Sequence, residues 1–193
     1  RPFQHLWHQT PRHFLSWGLL NPIVPPALPP QRKPPLIIVH GLFGSGRNWG
    51  VIARRLSEER EVIAVDMRNH GHSPRFTSHS YADMAADLAE VIRAHGGQAD
   101  VLGHSMGGKA SMYLALTQPN LVRRLVVADI APVAYAHDQT RHIHAMRALD
   151  LSGVTTRGEA DRRLAALVED EGLRAFFLQS LDLKAEGGPR WRL

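Results

Sequence analysis

The sequence predicts an α/β protein, a doubly wound and mostly parallel sheet with a helical lid, and three observations carry that reading. Apolar runs too short to be helices recur along residues 35–133 with helical patterns between them. Each run opens into a polar or glycine-bearing loop, and in open α/β sheets the loops at the carboxyl ends of strands hold ligands. One of these loops, Gly103-His104-Ser105-Met106-Gly107, lies between a short apolar run and a helical pattern.

The elements follow in chain order. Leu36 to His40 is a continuous apolar run, expected for a parallel strand covered on both faces. It enters Gly41-Leu42-Phe43-Gly44-Ser45-Gly46, and a helix is expected over Trp49 to Glu59. Val62 to Asp66 is the second strand, leading into Met67-Arg68-Asn69-His70-Gly71-His72-Ser73. Ser80 with Asp83 predicts a capping box that opens a helix over Tyr81 to His95. Met84, Leu88, Val91 and Ile92 share one face of it, and Gly96-Gly97 ends it. Ala99 to Leu102 is a short buried strand and Met106 to Thr117 a helix, with Pro119 just past its end. Leu125 to Asp129 is the last strand of this core, followed by Ile130-Ala131-Pro132.

Residues 134–193 predict a helical cap. Thr156 with Glu159 forms a capping box, and Leu164, Leu167 and Val168 make an apolar face before Gly172. Leu173, Phe176, Phe177 and Leu181 predict a further helix with an aromatic stripe. Core packing is the usual fate of such a stripe, whereas a lid would use it to line a pocket and exclude water. Phe176 and Phe177 are adjacent, so on a helix they point about 100° apart and one of them is expected to face that pocket.

The Gly-x-Ser-x-Gly loop is a nucleophile elbow by its pattern and context. A serine at the tip of a strand-to-helix turn is strained, and its neighbours approach so closely that side chains on both sides would collide. Glycines at 103 and 107 remove those side chains, and Gly108 gives further room. Five residues match such a pattern by chance often enough that the flanking strand and helix decide the matter. Ser105 is therefore the candidate catalytic nucleophile.

Four segments together resemble the α/β-hydrolase superfamily: residues 40–45, Asp66-Met67-Arg68-Asn69-His70-Gly71-His72-Ser73-Pro74, residues 103–109 and Asp129-Ile130-Ala131-Pro132-Val133. They are most similar to the small bacterial carboxylesterases and the mitochondrial abhydrolase-domain-containing 11 subfamily. The resemblance runs from about Pro35 to the end of the chain. It implies a serine hydrolase of short acyl esters or thioesters, with no cofactor. The developing oxyanion needs backbone donors already aimed at it. The resemblance implies the amides of Met106 and Leu42, with Phe43 the alternative to Leu42 by one position. It gives His40 and Gly41 the role of shaping that loop. Phe43, His104, Phe176 and Phe177 are the candidate substrate-binding residues. The implied triad acid is Asp129, a buried acid; its structural alternative is a cap on the turn before Pro132. The triad order is Ser, then Asp or Glu, then His.

The histidine departs from the pattern. In the family it lies beyond a further pair of strands, and no such strands are recognisable before Leu193. The expectation is a C-terminally truncated α/β-hydrolase lacking its last strands and the triad base. A truncated non-catalytic binding module or pseudoenzyme is the alternative. The chain has twelve histidines, including His40, His70, His72, His104, His137, His142 and His144. His142-x-His144 has a metal-like look, but two residues apart on a helix face different ways. Without cysteine or a His-Glu-x-x-His pattern, no metal site is expected.

Composition limits the partners. The chain is 193 residues, 44% hydrophobic and without cysteine, which allows one cored domain and excludes a disulfide framework. Its net charge of +5 suggests nucleic acid, but residues 1–57 hold seven Lys or Arg and no acid. The remaining 16 basic and 18 acidic residues leave the body at −2, so no nucleic-acid partner is expected. The acid-free start, with Arg1, Arg12, Arg32 and Lys33, is compatible with a mitochondrial transit peptide; otherwise the protein is expected in the cytoplasm. The start is serine-poor and lacks an initiator Met, so an incomplete start is the alternative. Within residues 1–34, the stretch from 22 onward is a proline-rich linker, and no apolar run approaches transmembrane length.

Overall fold

A computed structural model describes residues 33–134 and 139–192. Nearly all of the expected linker or targeting segment, and His137, lie outside the described residues. Four parallel strands form the main sheet in the order β2-β1-β3-β4: β1 is Leu36–Val39, β2 Val62–Val65, β3 Ala99–His104 and β4 Val122–Ala128. Every neighbouring pair is parallel, because a helix crosses over between them. These are α1 (Gly50–Leu56), α2 (Tyr81–Ala94) and α3 (Met106–Thr117). A 3₁₀ turn at Gly46–Trp49 precedes α1, so the helix expected from Trp49 begins in a tighter turn.

Both faces of the sheet are covered, which is why its strands are continuous apolar runs. On one face Ile37, Val39, Val65 and Val101 pack against Met84, Leu88 and Ile92 of α2 and Ala110 and Leu114 of α3. On the other, Leu36, Ile38 and Ala64 pack with Ala53 of α1. The helix starts obey their local chemistry: Ser80 and Asp83 form the full capping box, holding α2 at its first turn. β4 begins three residues earlier than expected and lies at a sheet edge, where Val126 is 55% exposed.

The cap contains α4 (Thr140–Ala148), α5 (Arg157–Leu164) and α6 (Glu171–Leu178), around a second apolar cluster that includes Met146, Leu164, Phe177 and Leu178. Thr156 caps α5 by accepting from the Glu159 N–H at 3.2 Å. Two expectations are corrected here. The helix over Leu164, Leu167 and Val168 stops at Leu164; Val168 is still buried, but Leu167 points outward. The aromatic stripe does not run helically to Leu181, because α6 ends at Leu178. Leu181 instead belongs to a two-residue strand, β5 (Leu181–Asp182), paired antiparallel with β6 (Arg190–Trp191). The Leu181 side chain still enters the cap core, so one apolar residue satisfies either backbone path.

One buried ion pair ties the β2 loop to α2. The Arg68 guanidinium donates to both Asp87 oxygens, at 2.6 and 2.8 Å, and lies 4.7 Å over the Phe76 ring. The two side chains are 8% and 5% exposed, so neither charge has water to fall back on. Removing Asp87 leaves the Arg68 guanidinium with Asp83 at 3.7 Å and the Ser78 hydroxyl at 3.1 Å, and breaking such buried pairs costs about 3–5 kcal/mol. Asp87→Asn is expected to lower unfolding stability by about 3 kcal/mol in urea titrations. A loss below about 1 kcal/mol would mean the pair behaves as a surface contact.

Candidate active site

β3 turns into α3 through Ser105, whose φ of 51° and ψ of −119° lie outside the regions a side-chain-bearing residue prefers. The crowding that makes the turn possible can be measured at its glycines. A Cβ on Gly107 would sit 2.5 Å from the carbonyl oxygens of Val39 and His40, and one on Gly103 would sit 2.6 Å from the Gly107 oxygen. Both contacts are with backbone, which cannot swing aside. Gly108 is similarly close to the Ile130 side chain. The strained turn is held by Ser105 N–H donating to Ala128 O at 3.0 Å and by Lys109 N–H donating to Ser105 O at 3.1 Å.

The loop after β1 faces this turn. A Cβ on Gly41 would lie 2.9 Å from His104 Nδ1 and 3.1 Å from Ser105 Cβ, so this loop passes directly beside the serine. Phe43 has a left-handed φ of 64°. Its N–H donates to His70 Nε2 at 3.2 Å, which engages one of the two sequence candidates for an anion donor. Among the described residues neither the Leu42 N–H nor the Met106 N–H has a hydrogen-bond partner. The Met106 N–H opens α3, whose N-terminal dipole favours negative charge.

Two buried histidines fix these loops. His40 donates from Nδ1 to Gly41 O at 2.7 Å and accepts at Nε2 from the Met67 N–H at 2.9 Å. His70 donates from Nδ1 to Arg68 O at 2.9 Å, which leaves Nε2 bare to accept from Phe43. The rings meet edge-on, 5.1 Å apart. Burial pushes both imidazoles below their ordinary range, His70 to about 3, so both stay neutral. The Asp66 carboxylate, also buried, accepts from the Gly46 and His72 N–H groups at 2.8 and 2.9 Å and binds the two loops at their roots.

Asp129 follows the last strand with a left-handed φ of 57°. It is not a buried acid: its side chain is 84% exposed, because β4 is the sheet edge, and His104 Nε2 lies 3.5 Å from its carboxylate. The His104 ring is also tilted against Trp49 at 5.9 Å. Among the described residues no hydrogen bond reaches the Ser105 hydroxyl, and there is no group of three or more metal-ligating side chains.

Of the cap pair, Phe177 is fully buried, packed against Phe43 at 5.5 Å and His142 at 5.3 Å, while Phe176 is half-buried. Phe43 is itself 7% exposed, so the Phe43–Phe177 contact is a packed joint between loop and cap. Sequence reasoning quoted His70 without a role and did not mention Ser180, whose hydroxyl donates to Phe43 O at 2.8 Å. A contact spanning 137 residues leaves no local pattern to read.

The chain belongs to the alpha/beta hydrolase fold family, whose model matches residues 34–180. It is 40% identical over 168 residues to the sn-1-specific diacylglycerol lipase ABHD11 of Danio rerio, covering 82% of this chain and 53% of that protein. It is 42% identical over 150 residues to Esterase YbfF of Escherichia coli, covering 76% and 58%. Among solved structures, a marine microorganism esterase superimposes with a TM-score of 0.78 at 38% identity, covering 84% of this chain and 65% of that one. The chain thus spans somewhat more than half the length of these relatives. Among the described residues no helix is long and apolar enough to cross a membrane.

The neutral histidines carry a pH signature. Below the ordinary imidazole value of about 6.5, an unfolded chain takes up protons that the folded chain refuses. Stability is therefore full above that pH and is lost as pH falls toward about 3, where His70 would protonate in the fold. The urea midpoint should fall between pH 6.5 and 4, and His70→Gln should fall less steeply. Equal slopes for the two proteins would mean that His70 is not held neutral.

Proposed function

We propose that the protein is a serine hydrolase cleaving short acyl esters or thioesters through Ser105. The observation that carries the reading is the strained Ser105 backbone, set between two glycines that backbone contacts leave no room to replace. Relatives named as lipase and esterase support acyl esters as the substrate class.

In this reading Ser105 Oγ attacks the acyl carbon, and the carbonyl oxygen takes up the displaced electron pair. The unpartnered N–H groups of Leu42 and Met106 receive that charge, and an oxyanion donor of this kind is worth about 10²–10³ in kcat. The C–O or C–S bond then breaks, the leaving group takes the proton removed from the serine, and water frees the acyl group. Asp129 is the acid that orients the general base. That base is a histidine contributed by the whole protein from outside these 193 residues; the open Asp129 carboxylate and the half-length match to the relatives support this. The lack of any hydrogen bond to the Ser105 hydroxyl favours a second reading, a non-catalytic binding module.

Full-length protein separates the two. Ser105→Ala is expected to abolish hydrolysis of p-nitrophenyl butyrate, and Asp129→Asn to lower kcat by about 10⁴ with folding intact. Hydrolysis that survives Ser105→Ala would reject the nucleophile, near-normal kcat in Asp129→Asn would move the acid elsewhere, and no turnover by the parent would favour the binding module.

A further inference from the structure

Four hydrogen bonds join three separate parts of the chain in a closed circuit. The Phe43 N–H donates to His70 Nε2 at 3.2 Å; next along the chain, the Gly71 N–H donates to Arg192 O at 3.1 Å. The Arg192 N–H donates to Ser180 O at 2.9 Å, and the Ser180 hydroxyl returns to Phe43 O at 2.8 Å. Phe43 is therefore gripped at its amide by the β2 loop and at its carbonyl by the cap. Its ring is gripped as well, edge-on against Phe177.

We propose that His70 and Ser180 are positioning residues: by holding Phe43 at both ends they set the direction of the neighbouring Leu42 N–H, so that the cap completes the anion-binding loop. The inference rests on the assignment of Leu42 as an oxyanion donor. The backbone geometry explains why the grip is needed. Phe43 is held at a φ of 64°, a conformation that costs a non-glycine residue energy and persists only where surroundings impose it. A local turn closed by the Gly44 N–H donating to Gly41 O at 3.1 Å calls for that φ, and these two hydrogen bonds with the aromatic contact hold a residue other than glycine in it. If either end were released, Phe43 would relax toward negative φ, and the readjustment of the Leu42 dihedrals that follows would turn the adjoining Gly41–Leu42 peptide, which carries the Leu42 N–H. The cap thus acts on the chemical step through backbone direction, without touching the reacting atoms.

Both partners suit fixed positioning. Ser180 is 8% exposed, and its own carbonyl is anchored by the Arg192 N–H just past β6, so its hydroxyl has little freedom to turn elsewhere. His70 has its tautomer fixed by the Arg68 carbonyl, and burial keeps it an acceptor.

The test uses the full-length protein with p-nitrophenyl butyrate, and butylboronic acid as a tetrahedral analogue. Losing a whole oxyanion donor costs about 10²–10³, so misdirecting one should cost about tenfold. Ser180→Ala and His70→Gln are each expected to lower kcat about tenfold, leave KM within about twofold, and weaken the boronic acid by about the same factor as kcat. A purely structural role would lower the melting temperature and leave the kcat of the folded variant intact. The proposal is overturned if folded Ser180→Ala keeps kcat within about twofold of the parent, or if the whole effect appears in KM. Should Ser180→Ala not fold, His70→Gln is judged by the same criterion. Ser105→Ala in parallel separates the two levels: activity surviving there removes the hydrolase reading itself, whereas an inactive Ser105→Ala beside an unaffected Ser180→Ala removes only the coupling.

Discussion

The fold around the candidate site depends on one steric fact, the contact of the Val39 and His40 carbonyls with the first turn of α3. The space a Cβ on Gly107 would need is already filled by backbone oxygen. That contact leaves the central strands β1 and β3 side by side, with Val39 opposite Gly103, and drives the β3–α3 connection through a turn so tight that Ser105 must take up strain. It also brings the β1 loop alongside the serine, because Gly41 has no side chain to hold the two apart. The strained Ser105 turn and the β1 loop beside it are thus two results of one close approach.

A second layer of constraint keeps the loops from relaxing. Loops that bear function are normally mobile, and these two are fixed instead by buried side chains that hydrogen-bond to backbone. His40 and His70 each donate to one main-chain carbonyl and accept from one main-chain N–H. An imidazole kept neutral by burial can do both at once; a protonated one would lose its acceptor. Asp66 does the same work as a pure acceptor at the loop roots. The cap adds its own hold through Ser180 and Phe177, so core loops and cap share a boundary at Phe43.

Much of this was legible in the sequence because it is written locally. The four strands, the Ser80 capping box and the bounds of α3 follow from short apolar runs and cap residues, and the elbow from glycines two positions either side of Ser105. What was not legible depends on distant partners. Leu181 fits an apolar helix face and an apolar strand equally well, and only pairing with Trp191 selects the strand. The choice between Leu42 and Phe43 as a free donor turns on His70, 27 residues away. Asp129 has the residue type of a triad acid, yet its exposure follows from β4 lying at a sheet edge, which no local pattern encodes.

The central claim is that crowding at the β3–α3 turn makes Ser105 the reactive hydroxyl of the chain. Reaction of full-length protein with a fluorophosphonate, followed by peptide mass spectrometry, measures this directly. The account predicts a single stoichiometric adduct on Ser105, lost when the protein is unfolded before labelling. An adduct on another serine, or the same labelling rate in folded and unfolded protein, would contradict it.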